Sequence, residues 1–261
     1  MRRWLNYLFI PFVIFSCKAI DVPTDEIVEQ PRSYIDFASI TYDSLIVLCN
    51  SSPFKNKSIG VFGGSYSMIP ESRVVKDGWK SYLNADVFDY GRGGYGFSCK
   101  QGSIQDEVDN CNVKDIYVLW ASTNDFTSNR EAGVPSDYTS KDNYNESKRE
   151  TQCGGINYCI KRLKEKNPDC LIVMISSSIF YQSQNGHDVS LPNKTGKSLA
   201  YYVKMQSECC RLNKIPFLNL LECVKLEESD FQGDKLHYRE KGYQKLLIPT
   251  TVMLASPHWF L

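Results

Sequence analysis

The sequence lacks most of what would point to the commoner partners. Its charge balances, with 30 Lys and Arg against 30 Asp and Glu in 261 residues. No net field therefore draws a polyanion to the surface, and nucleic acid is excluded as a first expectation. Histidine is scarce, with only His187, His237 and His258. Ten cysteines are present but none forms a C-x-x-C pair, so a zinc site has no ligand pattern and no metal or other cofactor is expected. There is no internal repeat, no low-complexity tract and no apolar run of the roughly 20 residues that a membrane-spanning helix needs. What is present is a chain 42% hydrophobic and 13% aromatic, enough to bury one sizeable core.

The first residues differ in kind from the rest. Arg2 and Arg3 precede a mostly apolar stretch from Trp4 to Phe15, and Ser16 puts a small residue ahead of Cys17. That order is expected of a secretory signal over 1–16. The I-F-S-C stretch resembles the lipobox of bacterial lipoproteins, in which Cys17 would be acylated and become the new N-terminus. Bulky Phe15 departs from that pattern and leaves plain secretion as the alternative. Residues 17–35, with Pro23, Pro31 and several acids, read as a polar tether, and 36–261 as one domain. The expected location is a bacterial cell envelope, with membrane contact only through the anchor, or the exterior. Cys49, Cys170 and Cys223 sit in or beside apolar runs, and Cys209 with Cys210 falls on a helical pattern, where a thiol acts as a small hydrophobe.

From Ser58 onward, apolar runs of strand length alternate with stretches of helical period. Strands are expected over 58–62, 86–90, 114–121, 170–175 and 216–220, and helices over 70–82, 103–110, 151–166, 199–212 and 239–253. The core of 114–121, I-Y-V-L-W, is continuously apolar, as in a strand buried on both faces of a parallel sheet. Residues 34–49, with mixed apolar spacing, read as an added strand or pair of strands. The alternation implies an α/β fold with a mainly parallel central sheet and helices on both faces. Ligands of such sheets collect at the carboxyl ends of the strands. The irregular stretches 127–149 and 180–197, rich in Ser, Asn, Asp and Tyr, leave from that same edge and are the natural walls of a pocket.

Two short stretches carry chemistry. S-I-G-V-F-G-G-S-Y-S, residues 58–67, is a strand that breaks at Gly63 and Gly64, which are expected to take positive φ or a tight turn and to lift Ser65 out at the strand end. G-D-K-L-H, residues 233–237, spaces Asp234 and His237 so that both can turn to one side. Serine needs a base to become a nucleophile, and imidazole with a carboxylate behind it is the common solution. His187 and His258 lie outside these stretches and read as surface or packing residues.

Two further stretches complete a pattern: D-Y-G-R-G-G-Y-G from 89 to 96 and A-S-T-N-D-F from 121 to 126. Serine, glycine, asparagine and then D-x-x-H, each at a strand end, resemble the SGNH (GDSL) hydrolases over about 58–253. The resemblance implies a three-layer α/β/α sandwich of the flavodoxin-like kind and esterase or lipase activity without a cofactor. It implies Ser65 as nucleophile, His237 as base and Asp234 as its orienting partner. The oxyanion hole would be the N–H groups of Ser65 and Gly94 with the Asn124 side-chain amide, and Gly91 would be the turn glycine before Gly94. Two positions depart from the motif: Gly64 stands where the family has aspartate, and Ala121–Thr123 replaces a glycine-containing lead into Asn124.

The expected function is hydrolysis of an acyl ester, with acetyl the leading choice, on an extracytoplasmic carbohydrate. Polar loops carrying Tyr138, Tyr144 and Tyr181 suit such a substrate. A lipase, thioesterase or lysophospholipase of the same fold remains an alternative, as does a carbohydrate-binding protein on an inactive hydrolase scaffold.

Overall fold

A computed structural model describes residues 35–98 and 102–261. The expected signal segment, Cys17 and nearly all of the tether lie outside the described residues. Five strands, β1 (Ser58–Gly63), β2 (Asp86–Asp89), β3 (Ile116–Trp120), β4 (Leu171–Ile175) and β5 (Phe217–Leu218), make one sheet in the order β2-β1-β3-β4-β5. Every pairing is parallel. β3 is buried along its whole length, as its unbroken apolar run requires of a central strand covered on both faces.

The principal helices are α1 (Tyr42–Ser51), α2 (Ser65–Met68), α3 (Arg73–Leu83), α4 (Ile104–Asn110), α5 (Asn124–Thr127), α6 (Gln152–Lys166), α7 (Leu199–Asn213) and α8 (Glu240–Ala255). α1, α3 and α8 pack together on one side of the sheet, and α4, α6 and α7 on the other. This is the expected three-layer sandwich. Local sequence sets its boundaries: Thr151 caps α6 by accepting from Gly154 N–H, and Ser198 caps α7 by accepting from Tyr201 N–H. Across the α3–α8 contact, Trp79 is fully buried and its indole N–H donates to Thr250 Oγ1 at 3.2 Å.

Two expectations are corrected. Residues 34–49 form no strand: a short 3₁₀ turn (Phe37–Ser39) leads into α1. Thr41 accepts from Ser44 N–H at 3.2 Å as the N-cap, and Leu45 and Cys49, four apart, are the buried face. The β-branched Ile46 and Val47 lie on the exposed side, so tertiary packing overrides their strand propensity. The last strand is also shorter than 216–220. Asn219 accepts from Leu221 N–H at 3.1 Å and starts a helical turn over Leu220–Cys223, which ends the extended backbone.

The topology places the site. From β1 the chain crosses to β2 on one side, then returns past β1 to β3 on the other. The strand order therefore reverses between β1 and β3, and a crevice opens at their carboxyl ends. Ser65 follows β1 and Asn124 follows β3.

Candidate active site

Ser65 is the first residue of α2, so its backbone N–H is one of the helix-start donors without an intrahelical acceptor. The two glycines before it do not adopt the positive φ expected of them. Gly64 has φ −82° and ψ −152°, which any residue can take. Its reason is space. A β-carbon there would lie 2.7 Å from Ser122 Cβ, 2.8 Å from Asn124 Nδ2 and 2.8 Å from the Tyr95 carbonyl oxygen. The aspartate of the resembling motif has no room at this position.

Asp234 and His237 come from the loop between β5 and α8. The Ser65 hydroxyl lies 2.7 Å from His237 Nε2, and His237 Nδ1 lies 2.5 Å from Asp234 Oδ2. The network assigns the tautomer: Nδ1–H donates to Asp234, leaving Nε2 to accept from the serine. The other Asp234 oxygen accepts from the N–H groups of Leu236 and His237, both at 3.0 Å. Burial works against ionising Asp234, but the His237 ring and these two N–H groups outweigh it and hold the carboxyl below the usual range. Lys235, inside this turn, takes φ +57°.

Of the remaining candidates, Asn124 lies against Gly64 and Gly91 against Ser67, the neighbours of Ser65. Gly94 has φ +79°, a conformation that favours glycine. Gly91 stays out of the left-handed region, and a β-carbon on it would strike Ser67 Oγ. Asn124 Nδ2 donates one hydrogen to the Tyr95 carbonyl at 2.9 Å, and Ser122 Oγ donates to the same oxygen at 2.8 Å. Both bonds fasten the glycine loop to the end of β3 and leave the second Asn124 amide hydrogen to point elsewhere.

The sequence reading gave no role to five residues that hold this arrangement. Asp125 is buried and accepts from Phe97 N–H at 2.9 Å, from Ser98 N–H at 3.0 Å and from the Ser98 hydroxyl. Burial raises its carboxyl above the usual range despite these bonds. Lys76 reaches from α3 to the Ser67 carbonyl at 2.7 Å and to Asp89, whose other oxygen accepts from Gly91 N–H at 2.9 Å. Tyr66 stacks on Tyr238 with ring centroids 4.8 Å apart and 18° between planes, and it presents its edge to His237. The residue after the serine is thereby locked to the residue after the histidine. Asp125, Asp89 and Tyr66 lie inside the motif stretches, whereas Lys76 and Tyr238 carried no visible signal.

Other expected contributors fall elsewhere. Tyr138 packs on Tyr144 and on Tyr158 of α6. Tyr181 does reach the site's rim, where its N–H donates to the Lys235 carbonyl at 2.7 Å. His187 is exposed and stacks on Tyr181, and exposed His258 lies against Trp259. Among the described residues no cluster of His, Cys, Asp and Glu could hold a metal, and no helix is long and apolar enough to cross a membrane.

No protein-family model matches the chain, and no curated protein matches it significantly. Solved structures do. The aryl esterase of M. smegmatis aligns over 78% of this chain and 100% of its own at 14% identity, with a TM-score of 0.54. A possible lipase from Chitinophaga pinensis aligns over 76% and 96% at 15% identity, with a TM-score of 0.59. A protein from Bacteroides uniformis named as a GDSL-like lipase aligns over 77% and 96% at 16%, with a TM-score of 0.53. At these identities the likeness is one of fold.

Proposed function

We propose that this chain, which has the SGNH (GDSL) hydrolase fold, is a serine esterase that removes a small acyl group, acetyl first, from an extracytoplasmic carbohydrate. One observation carries the catalytic part: the relay of Ser65, His237 and Asp234, with links of 2.7 and 2.5 Å. A serine hydroxyl is a weak nucleophile, and its proton must leave as the carbon–oxygen bond forms. His237 Nε2 accepts that proton, and Asp234 fixes the ring and stabilises the imidazolium.

Attack on the ester carbonyl places negative charge on its oxygen. The N–H groups of Ser65 and Gly94 and the free hydrogen of the Asn124 amide are the donors assigned to it; removing one such donor costs about 3 kcal/mol of barrier. His237 then protonates the leaving alcohol, and a water activated by the same ring hydrolyses the acyl-serine. The test is labelling. A fluorophosphonate should modify Ser65, and the protein should turn over 4-nitrophenyl acetate; failure of both would return the chain to the class of binding proteins on this scaffold.

Export is part of the same reading and rests on Arg2, Arg3, the apolar stretch to Phe15, and Cys17. Expressed in a bacterium fed radiolabelled palmitate, the wild type should take up label and Cys17→Ala should not. Labelling of both or of neither would remove the lipid anchor and leave plain secretion.

A further inference from the structure

We propose that Ser177, in the serine run 176–178 at the end of β4, is a positioning residue for the oxyanion donor Asn124; this rests on the esterase reading above. Ser176, Ser177 and Ser178 take no part in the relay, yet all are buried. A buried hydroxyl is unfavourable unless it is hydrogen-bonded, so each needs a partner. The partners lie in different parts of the fold. Ser176 Oγ accepts from Leu220 N–H at 2.8 Å, which ties β4 to the turn after β5, and Ser178 meets the Tyr238 hydroxyl on the side of the base. Ser177 faces the oxyanion side.

The sheet explains why a side chain is needed there. The backbone link between β3 and β4 ends with Ala121 N–H donating to the Ile175 carbonyl at 2.8 Å. Beyond it the Ser177 N–H turns to α7 and donates to Gln206 Oε1 at 3.1 Å. The Ser177 hydroxyl takes over the link to the end of β3 and donates to the Ser122 carbonyl at 2.7 Å. Gln206 is itself buried, and its Nε2 donates to Ser177 Oγ at 3.0 Å and to Gln152 Oε1 of α6 at 3.2 Å. Because Ser177 Oγ accepts from Gln206, its own hydrogen is left to point at Ser122.

From Ser122 the contacts pass directly to Asn124. The Ser122 hydroxyl accepts from Asn124 N–H at 3.3 Å and donates to the Tyr95 carbonyl at 2.8 Å, the same oxygen that takes one Asn124 amide hydrogen at 2.9 Å. A rotation of the Ser122 peptide would therefore move the backbone that carries Asn124 and disturb the bond that aims its amide, and small misplacements of this kind slow catalysis sharply. The glycine loop keeps its own fastening, through Phe97 and Ser98 N–H to Asp125, so the effect falls on Asn124 more than on Gly94.

The experiment is a double-mutant cycle on kcat for 4-nitrophenyl acetate, with wild type, Ser177→Ala, Asn124→Ala and the double variant, each checked by its melting curve. Ser177→Ala alone should lower kcat by roughly tenfold or more with little change in KM. In the Asn124→Ala background the same substitution should change kcat by less than about twofold, because no amide is left to misplace. An equal loss in both backgrounds makes Ser177 merely structural and overturns the proposal, as does wild-type kcat in Ser177→Ala. Should Ser177→Ala be unfolded at the assay temperature, Ser177→Cys takes its place in the cycle, filling the site with a weak donor, and the same outcomes decide. In each of these cases the esterase reading stands. A wild type that neither turns over the ester nor labels at Ser65 overturns that reading and this assignment with it.

Discussion

Gly64 and Asp234 show what single residues contribute. At 64 the backbone torsions are open to any residue, but the space is taken by Ser122, Asn124 and the Tyr95 carbonyl. Forcing a β-carbon in should cost about 1–3 kcal/mol of stability and push the Asn124 amide away from Ser65. Gly64→Ala is expected to lower the melting temperature and slow fluorophosphonate labelling by roughly tenfold or more, in line with the loss of one oxyanion donor; wild-type rates would show that the neighbours yield. Asp234 lends itself to a pH experiment. Its folded-state carboxyl is held below the usual range, so its stabilising contribution is complete above the unfolded value, about 3.9, and is lost as pH falls through the folded value. The gap in melting temperature between wild type and Asp234→Asn should therefore narrow as pH drops below about 4. A constant gap would mean that the carboxylate contributes nothing as a charge. At neutral pH, Asp234→Asn should retain part of the activity that Ser65→Ala and His237→Ala lose, as initial rates on 4-nitrophenyl acetate would show.

Between elements, the site is held by side chains that bridge four strand ends. Asp125, at the start of α5, binds two backbone N–H groups of the loop that contains Gly94. Asp125→Ala would leave both N–H groups buried and unpaired, a loss of about 3 kcal/mol, and the variant should unfold at correspondingly lower denaturant in equilibrium titration. Tyr66 joins α2 to the histidine turn through its stack on Tyr238, and Tyr243 of α8 donates to its carbonyl at 2.6 Å. Tyr66→Phe keeps the stack and should keep most of the turnover. Tyr66→Leu loses the stack, and kcat should fall by roughly tenfold with little change in KM, because the 2.7 Å serine–histidine contact loses its support. A Leu variant with wild-type kcat would show that the backbone alone sets the distance.

For the molecule as a whole, the thiols test how the chain is held. The described cysteines, Cys49, Cys111, Cys153, Cys159, Cys170, Cys209, Cys210 and Cys223, are all unpaired, and seven of them are buried. Burial pushes the Cys49 thiol up to about 11 and that of Cys223 up to about 12, so little reactive thiolate exists near neutrality. Dithiothreitol should leave the melting temperature unchanged, and Ellman's reagent should react with these thiols only after denaturation. A large drop in melting temperature on reduction would mean that disulfides carry stability. Packing across the sheet is what holds the layers instead, and substituting Trp79 or Trp120 by alanine should cost about 3–5 kcal/mol each in chemical denaturation.

By itself the sequence determined the α/β alternation, the central buried strand and the order of the four motif stretches, because strand and helix periods and glycine breaks are local properties written along the chain. It could not determine that 42–51 is a helix, because Ile46 and Val47 favour strand and only burial of Leu45 and Cys49 tips the balance. The reason for Gly64 was equally out of reach: it lies in Ser122, Asn124 and Tyr95, residues far along the chain. The meeting of Ser65 with His237, 172 positions apart, was decided by the packing of α8 back against α3 and by the aromatic stack of Tyr66 on Tyr238. Contacts of that span exist only once the sheet has closed, so no local pattern carries them.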